Sequence, residues 1–203
     1  MAMPGTASRF LLLQMRTGSV EDARLEHDLR AFCRAAAPWA LHRAARSLDN
    51  AQAYVYLGSG AAAQAPDATV LAAAFRRHCA WADALQVSPL EPVFDVAGMS
   101  AGEAPRFHYV VETDPEDGWF DEIVRWYDTE HMPGLAAVPG CVRAMRFLNR
   151  GAGPLSLACY DLQREDVLGS PPWLAVRATA WSDIARPHFT NTKRTLFRIL
   201  ADT

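Results

Sequence analysis

The sequence predicts an α+β fold made of two tandem βαββαβ units in one chain. Two observations carry this prediction: an internal repeat with a nearly constant offset, and the same order of strand and helix patterns in each half. The chain has 203 residues, half of them hydrophobic, so two such units can bury a core without disulfides. We place the N-terminal unit at 1–98, the C-terminal unit at 99–203, and a glycine-containing linker, AGMSAGEAP, across their boundary.

The internal repeat consists of four matches that occur in the same order in both halves. In the strongest match, RHCAWADAL at 77–85 and RATAWSDIA at 177–185 share arginine, alanine, tryptophan and aspartate at an offset of 100 residues. The other three matches have offsets from 97 to 101: RFLLLQM with RFHYVVE, Pro38 with Pro139, and RAAR with RAMR. Together they indicate a duplicated unit of about 100 residues.

The N-terminal half has the pattern of one βαββαβ unit. Apolar, β-branched runs predict strands, and apolar residues three or four positions apart predict helices. The predicted strands are at 10–15, 40–47, 53–58 and 91–96, and the predicted helices are at 20–37 and 69–86.

The C-terminal half gives the same order. A helix is predicted at 118–131, where large apolar residues recur at helical spacing. Another is predicted at 170–185, where Ser170 is a suitable cap and two prolines follow it. The predicted strands are at 107–113, 141–149, 155–162 and 189–200, with the turn-rich segment NRGAGP between the middle two.

A βαββαβ unit of this kind is ferredoxin-like: a four-stranded antiparallel sheet carries both helices on one face. The opposite face is apolar in segments such as FLLLQM and LSLACY, so it has to be covered. The most economical cover is the other copy, related by a pseudo-two-fold axis. The predicted fold is therefore two tandem ferredoxin-like βαββαβ units packed sheet to sheet as an intramolecular α+β barrel.

Composition excludes several classes of function. The net charge of −3 provides no basic field for nucleic acid or an anionic membrane, and no apolar run reaches the roughly 20 residues of a membrane span. The four cysteines form no C-x-x-C pair and RFLLLQMR is too short for a signal peptide, which together predict a cytoplasmic protein. Phosphate-binding glycine loops and the G-x-S-x-G motif are absent from the sequence, which disfavours nucleotide cofactors and serine hydrolase chemistry.

The second copy resembles the dimeric α+β barrel superfamily, and within it EthD-like and related bacterial proteins. The resemblance lies in F-x-x-WYDTEHMPGLAAVPG-x-x-RAMRF, followed by LACYDL and VLGSPPW, and covers about 106–200. It implies a barrel of two ferredoxin-like units, here supplied by one chain, as a monomer with an internal pseudo-dimer or as a homodimer. Superfamily members include muconolactone isomerases, polyketide cyclases, cofactor-free monooxygenases and haem-dependent enzymes. The fold alone therefore does not determine which reaction a member catalyses.

The stretch WYDTEHMPGLAAVPG carries the main candidate site. Helical spacing puts Phe120, Val124, Tyr127 and His131 on one apolar face, which places His131 at the edge of the crevice between helix and sheet. We predict His131 as a general base and Tyr127 as a phenolic donor. Pro133 is expected to stop or kink the helix at about His131, so capping of a helix end is the alternative role for this histidine.

Two further observations refine this candidate. Glu130 points about 100° away from His131 on a helix, so the two are not expected to form a dyad. In the first copy Arg30 occupies the position of His131, and the aromatic residues before it are also replaced. A single working site in the second copy explains this difference better than a structural need shared by both copies.

Four residues are predicted to bind a ligand: Trp126, Phe120, His108 and Trp173. Packing is the alternative for the tryptophans, and a hydrogen-bonded strand histidine is the alternative for His108. No metal site is predicted, because TEHMP lacks the second histidine of H-E-x-x-H. A haem would need His131 or His188 as axial ligand, and since no pattern supports haem, no cofactor is predicted.

The sequence thus favours a cofactor-independent enzyme of isomerase, cyclase or decarboxylase type, acting by proton transfer on a small hydrophobic or aromatic metabolite. The alternative is a non-catalytic small-ligand-binding or scaffold protein. A filled space between the 118–131 helix and its sheet, occupied by Trp126 and Met132, would count against the enzyme. Arg143 and Arg146 repeat Arg43 and Arg46, so we expect all four to be architectural and to pair with acids across the pseudo-two-fold axis.

Overall fold

A computed structural model describes residues 9–60, 63, 64 and 66–202. The N-terminal half has the predicted βαββαβ order. Its elements are β1 (Arg9–Arg16), α1 (Asp22–Ala35), β2 (Ala40–Ser47), β3 (Gln52–Ser59), α2 (Ala68–His78) and β4 (Asp83–Ala97).

The C-terminal half repeats this order with more irregular helices. Its strands are β5 (Phe107–Pro115), β6 (Cys141–Asn149), β7 (Ser156–Leu162) and β8 (Phe189–Asp202). Between β5 and β6 lie α3 (Phe120–Trp126), a π-helical turn (Tyr127–His131) and α4 (Met132–Ala136). Between β7 and β8 lie a 3-10 turn (Glu165–Gly169), α5 (Pro171–Arg177), α6 (Ala180–Ala185) and a second 3-10 turn (Arg186–His188).

Among the described residues, hydrogen bonding orders the strands of the N-terminal half as β4-β1-β3-β2 and those of the C-terminal half as β8-β5-β7-β6. The pairs β1–β3, β2–β3, β5–β7 and β6–β7 are antiparallel, as are β1–β4 and β2–β8. Each of these two orders is the strand arrangement of a ferredoxin-like sheet. The predicted α+β fold class is confirmed.

The chain divides into two compact units. Unit 1 comprises the described parts of Met1–Pro92, Asn149–Ala152 and Phe197–Thr203. Its core lies between α1, α2 and the face of the sheet that carries the odd-numbered residues of β1, because successive strand residues point to opposite faces. The core includes Leu13, Leu25, Leu29, Phe32, Val55 and Phe75, all essentially inaccessible to solvent.

Unit 2 comprises Val93–Leu148 and Gly153–Leu196. In it, β5 and β7 pair Tyr109 with Tyr160, and the adjacent His108 with Asp161. The two pairs therefore lie on opposite faces of the sheet. The helices cover the tyrosine face, where the buried core includes Ile123, Trp126, Met132, Leu135, Leu162 and Trp173.

Each of the four repeated arginines pairs with an acid, but the predicted pairing with the other copy holds only for the first arginine of each motif. Arg43 of β2 bonds to Asp202, and Arg143 of β6 bonds to Asp95. Each of these two acids comes from the other half of the sequence. Arg46 pairs with Asp22 at 3.0 Å and Arg146 with Asp128 at 2.8 Å, so the second arginine of each motif reaches the first helical segment of its own half.

The predicted helix at 69–86 is too long. Helix α2 ends at His78, where the backbone N–H of Cys79 still bonds to the carbonyl of Phe75. Strand β4 begins at Asp83, opposite Arg16 of β1. The pairing with β1 overrides the local helical pattern over the last residues of the predicted helix.

The predicted helix end at about His131 is replaced by a π-helical turn. The backbone N–H of Met132 bonds to the carbonyl of Tyr127, five residues earlier, and the chain then continues as α4. Pro133 occupies the start of α4, where its missing N–H costs no helical bond. The stretch around His131 is thus a helical distortion inside a longer helical segment, and helix capping is not the role of this histidine.

Gly140, at the end of the WYDTEHMPGLAAVPG stretch, allows a close approach that a side chain would block. Its φ is +93°, and a Cβ there would lie 2.5 Å from Cγ2 of Val167. We expect Gly140→Ala to lower the free energy of unfolding by about 2–3 kcal/mol, because it combines backbone strain with a clash. Urea unfolding measures the loss, with Gly118→Ala as the control.

Gly118 also has a positive φ, +82°, but a Cβ there meets no atom within 4 Å. Its replacement by alanine is expected to cost only the backbone strain, about 1 kcal/mol. Equal losses in the two variants would show that contact with Val167 contributes nothing at Gly140.

Candidate functional site

A cavity lies in unit 2 beside the π-helical turn. Its enclosed part measures about 30 Å³ and belongs to a wider indentation of about 350 Å³ that is open to solvent. The enclosed part holds on the order of two water molecules. Six aromatic side chains line the cavity: Tyr109, Trp126, Tyr127, Tyr160, Trp173 and Phe189.

The π-helical turn brings the indole of Trp126 onto the imidazole of His131. The two rings stack with centroids 4.1 Å apart and planes 23° apart. Residues five apart align on a π-turn, whereas an α-helix aligns residues three or four apart. Tyr127 meets the same imidazole edge-on at 5.6 Å. The distortion therefore lets two successive aromatic residues, Trp126 and Tyr127, face one histidine.

His131 is buried and neutral. Its side chain is 8 % exposed, and within the described part of the chain its Nδ1 atom has no hydrogen-bond partner. Burial and then the positive charges of Arg177 and Arg186 lower the pKa of His131 to about 3. At neutral pH the imidazole is therefore uncharged, and one of its ring nitrogens carries a lone pair that can accept a hydrogen bond.

The two phenols nearest to His131 keep their protons. Complete burial raises the pKa of Tyr127 well above its usual range, against the opposing effect of Arg146. Burial also raises the pKa of Tyr160, whose hydroxyl donates to Sδ of Met132 at 3.0 Å. The guanidinium of Arg146 lies over the ring of Tyr127, 5.6 Å from the ring centre, and forms a cation–π contact with it.

Three arginines line the same cavity: Arg177 at the end of α5, Arg186 in the second 3-10 turn and Arg194 on β8. In the parts of the chain that the structure describes, none of them forms an ion pair. Arg186 donates from Nη1 to the backbone carbonyl of Arg177 at 3.2 Å. Burial and then the charges of Arg177 and Arg194 lower the pKa of Arg186, which shows that the three cations act on one another.

The structure brings together four of the six predicted site residues: His131, Tyr127, Trp126 and Trp173. Phe120 lies outside the cavity lining at the start of α3 and is 38 % exposed. His108 lies on the opposite face of the sheet, where its Nδ1 is 2.7 Å from Oδ1 of the buried Asp161. Strand alternation explains the placement of His108, since its neighbour Tyr109 faces the cavity.

Trp126 and Met132 do not fill the space between helix and sheet. Trp126 forms one wall of the cavity, and Met132 is buried beside Tyr160. Glu130 accepts a hydrogen bond from the hydroxyl of Thr179 at 2.6 Å. Among the described residues that line the cavity there is no carboxylate, so His131 has no acidic partner among them.

The three arginines and the aromatic residues Tyr109, Tyr160 and Phe189 are not among the predicted site residues, and Arg177 is predicted only as the repeat of Arg77. One sequence signal for the position of Arg177 is Thr179, a suitable N-cap. Its hydroxyl accepts from the N–H of Ser182 and begins α6, so α5 ends at Arg177 and the predicted continuous helix at 170–185 is interrupted.

Among residues 9–60, 63, 64 and 66–202, no group of three or more His, Cys, Asp or Glu side chains is arranged to hold a metal ion. Within the same ranges, no helix is both long enough and apolar enough to cross a membrane.

No protein-family model matches the chain, and no curated protein matches it. Solved structures do match it over nearly its whole length. They include an anthrone oxidase-like protein (TM-score 0.66, 12 % identity, covering 97 % of this chain and 92 % of that one). A chlorite dismutase of Candidatus Nitrospira defluvii matches with a TM-score of 0.61 and 8 % identity, covering 97 % and 92 % of the two chains.

A third match is a ferredoxin-fold protein of Listeria monocytogenes 4b F2365, related to antibiotic biosynthesis monooxygenases. It has a TM-score of 0.55 and 8 % identity, with 95 % of this chain and 94 % of that chain covered. At such low identities these likenesses concern the fold and carry no chemistry with them.

The haem chemistry found in this fold does not suit the residues present. The enclosed space beside His131 is about 30 Å³, and the stacked indole of Trp126 covers one face of the imidazole, which leaves no room for a macrocycle. His188 stacks on Trp119, and its Nδ1 bonds to Glu116. The chain has the ferredoxin-type α+β fold of its structural neighbours.

Proposed function

We propose that the cavity of unit 2 is the active site of a cofactor-independent enzyme that transfers a proton on a small hydrophobic or aromatic metabolite. One observation carries the proposal. A neutral histidine, His131, lines the cavity together with the protonated Tyr127, and among the described residues its Nδ1 atom has no hydrogen-bond partner. Enolisation requires a base that removes the α-proton and a donor that forms a hydrogen bond to the carbonyl oxygen, and these two residues can supply both groups.

The proton moves from a carbon next to the substrate's carbonyl group to the imidazole of His131. As that C–H bond breaks, its electron pair becomes the carbon–carbon π bond of an enolate, and negative charge develops on the oxygen. Tyr127 donates a hydrogen bond to this oxygen, and the arginines stabilise the charge. Isomerisation follows when His131 returns the proton to a different carbon.

The low pKa of His131 fits this scheme only when the substrate brings negative charge into the cavity. In the empty cavity burial and, to a smaller extent, Arg177 and Arg186 disfavour the imidazolium. An anionic substrate offsets the field of the arginines and itself favours the imidazolium by charge attraction, so it raises the pKa of His131. The negative charge of the enolate formed in the reaction also raises the pKa of His131. The same charge is stabilised by the arginines.

The proposal extends to an EthD-like kinship and to an origin by tandem duplication. The WYDTEHMPGLAAVPG string supports the kinship, and two repeated tryptophans support the duplication. The indole N–H of Trp81 donates to Asp28 of α1, and that of Trp181 donates to Glu122 of α3. Each copy thus uses the same residue to bond to its first helix.

A ligand-binding protein without turnover is the second candidate. It is favoured by the small enclosed volume and by the low pKa of His131 in the empty cavity. A protein of this class would bind the same ligands and leave their C–H bonds intact.

Deuterium exchange distinguishes the two candidates. The protein is incubated in D₂O with phenylpyruvate, 4-hydroxyphenylpyruvate and a panel of unsaturated lactones, and proton NMR follows the loss of α-protons. The enzyme is expected to accelerate exchange in at least one of them above the rate in buffer. If compounds that bind show no acceleration, the enzyme proposal fails and the binding protein is favoured.

Removal of the Tyr127 hydroxyl tests the donor role. We expect Tyr127→Phe to lower the exchange rate about tenfold, because one neutral hydrogen bond to the developing enolate is lost. Tyr54→Phe is the matched control, since Tyr54 is a buried tyrosine of unit 1 that does not line the cavity. An unchanged rate in Tyr127→Phe would contradict the donor role.

A further inference from the structure

The polar groups that line the cavity are dominated by hydrogen-bond donors. Arginine and the indole N–H of tryptophan donate and cannot accept, and no aspartate or glutamate lines the cavity. The Nε1 atom of Trp126 has no acceptor among the described residues, although its side chain is 99 % buried. A buried donor without a partner is costly, so this position is suited to an acceptor supplied by a ligand.

The arginines add charge to this donor set. Other arginines of unit 2 have carboxylate partners, such as Arg164 with Asp166 and Arg143 with Asp95. Arg177, Arg186 and Arg194 have none within the described part of the chain, although Asp183 acts on Arg186 from a longer distance. Three unpaired cations around one cavity repel one another, and a bound anion relieves that repulsion.

The exposure of the lining residues indicates how a ligand would lie. Trp126, Tyr127, Tyr160 and Trp173 are buried, whereas Arg177 and Arg186 are half-buried and Arg194 is exposed. The aromatic rings therefore form the inner part of the cavity and the guanidinium groups form its rim. The inner space holds only about two water molecules, so a ligand would lie mainly in the wider, open part of the cavity and insert the edge of a flat group between the stacked and edge-on rings.

We propose that the unit 2 cavity selects a small planar organic anion of the arene- or enol-carboxylate class. Its carboxylate lies among Arg177, Arg186 and Arg194, and its flat apolar part lies against Trp126 and Trp173. This inference names the substrate class of the active site proposed above and rests on that proposal for turnover, but not for binding.

Matched pairs of acids and amides test the selection. Benzoate and phenylacetate are compared with benzamide and phenylacetamide, which have nearly the same shape and no charge, by isothermal titration calorimetry at pH 7. We expect each acid to bind about ten- to a hundredfold more tightly than its amide, as for charge-assisted pairs compared with neutral ones. Cyclohexanecarboxylate, which is not flat, is expected to bind more weakly than benzoate.

Single substitutions then locate the anion site. We expect Arg186→Gln and Arg177→Gln each to weaken benzoate binding at least tenfold while leaving benzamide binding unchanged. Arg164→Gln is the matched control, because Arg164 is an exposed arginine outside the cavity and pairs with Asp166. Its benzoate affinity is expected to equal that of the wild type. Thermal unfolding of each variant identifies any that fail to fold, and Arg194→Gln, at an exposed position, provides a third variant.

Three results would overturn the inference: no binding of either acid at millimolar concentration, equal affinities for acids and amides, or undiminished benzoate binding in the folded arginine variants. These failures differ from failure of the proposed enzyme. A protein that binds benzoate through its arginines but exchanges no α-proton retains this inference and loses the enzymatic one.

Discussion

His131→Gln is expected to lower the rate of α-proton exchange by roughly 10²- to 10⁴-fold, the usual contribution of a positioned general base. Glutamine retains hydrogen-bonding groups in a buried position beside Trp126, but it cannot take up a proton at neutral pH. The loss should therefore appear in the chemical step. Benzoate affinity should change much less, because the arginines carry the charge recognition.

A second histidine variant controls for nonspecific effects. His188 belongs to unit 2 but lies outside the cavity lining, stacked on Trp119 and bonded to Glu116. We expect His188→Gln to exchange α-protons at the wild-type rate. Equal rates in His131→Gln and the wild type would remove His131 from the mechanism, whatever the protein binds.

Acidification is expected to destabilise the wild type more than His131→Gln. The pKa of His131 is about 3 in the folded protein and ordinarily 6.5, so between these values the unfolded chain binds the extra proton. The contribution of the neutral imidazole is fully present above pH 6.5 and is lost as the pH falls toward 3. The complete loss is about 3–5 kcal/mol, since each pKa unit corresponds to roughly 1.4 kcal/mol.

Urea unfolding at pH 7.0, 5.5 and 4.5 measures this effect. The free energy of unfolding of the wild type should fall relative to that of His131→Gln by about 2–3 kcal/mol between pH 7.0 and pH 4.5. Each protein serves as its own reference at pH 7.0, which removes the cost of the substitution itself. Parallel pH dependences would mean that His131 is solvated or has an acidic partner.

The order of elements could be predicted because strand and helix patterns are local and occur twice. The start of β4 could not, because 77–85 has the composition of a helix, whereas in the fold α2 ends at His78 and β4 begins at Asp83, where it pairs with Arg16. The π-helical turn was also unpredictable. Pro133 predicts an interruption, but whether the chain stops or passes through five residues of π-helix depends on packing against the sheet.

The candidate site was partly predictable for the same reason. His131, Tyr127 and Trp126 are adjacent in sequence, so one local pattern identified them. The three arginines lie on α5, a 3-10 turn and β8, and only the tertiary fold brings them to one cavity. For His108 the pattern could identify a strand but not which face of the sheet the histidine occupies.

A crystal structure of the protein with benzoate would show whether the cavity of unit 2 binds a planar aromatic carboxylate. We expect benzoate in this cavity, with its ring against Trp126 and its carboxylate within hydrogen-bond distance of at least one of Arg177, Arg186 and Arg194. A cavity closed by its own side chains, with benzoate bound elsewhere on the protein, would contradict the proposed binding site.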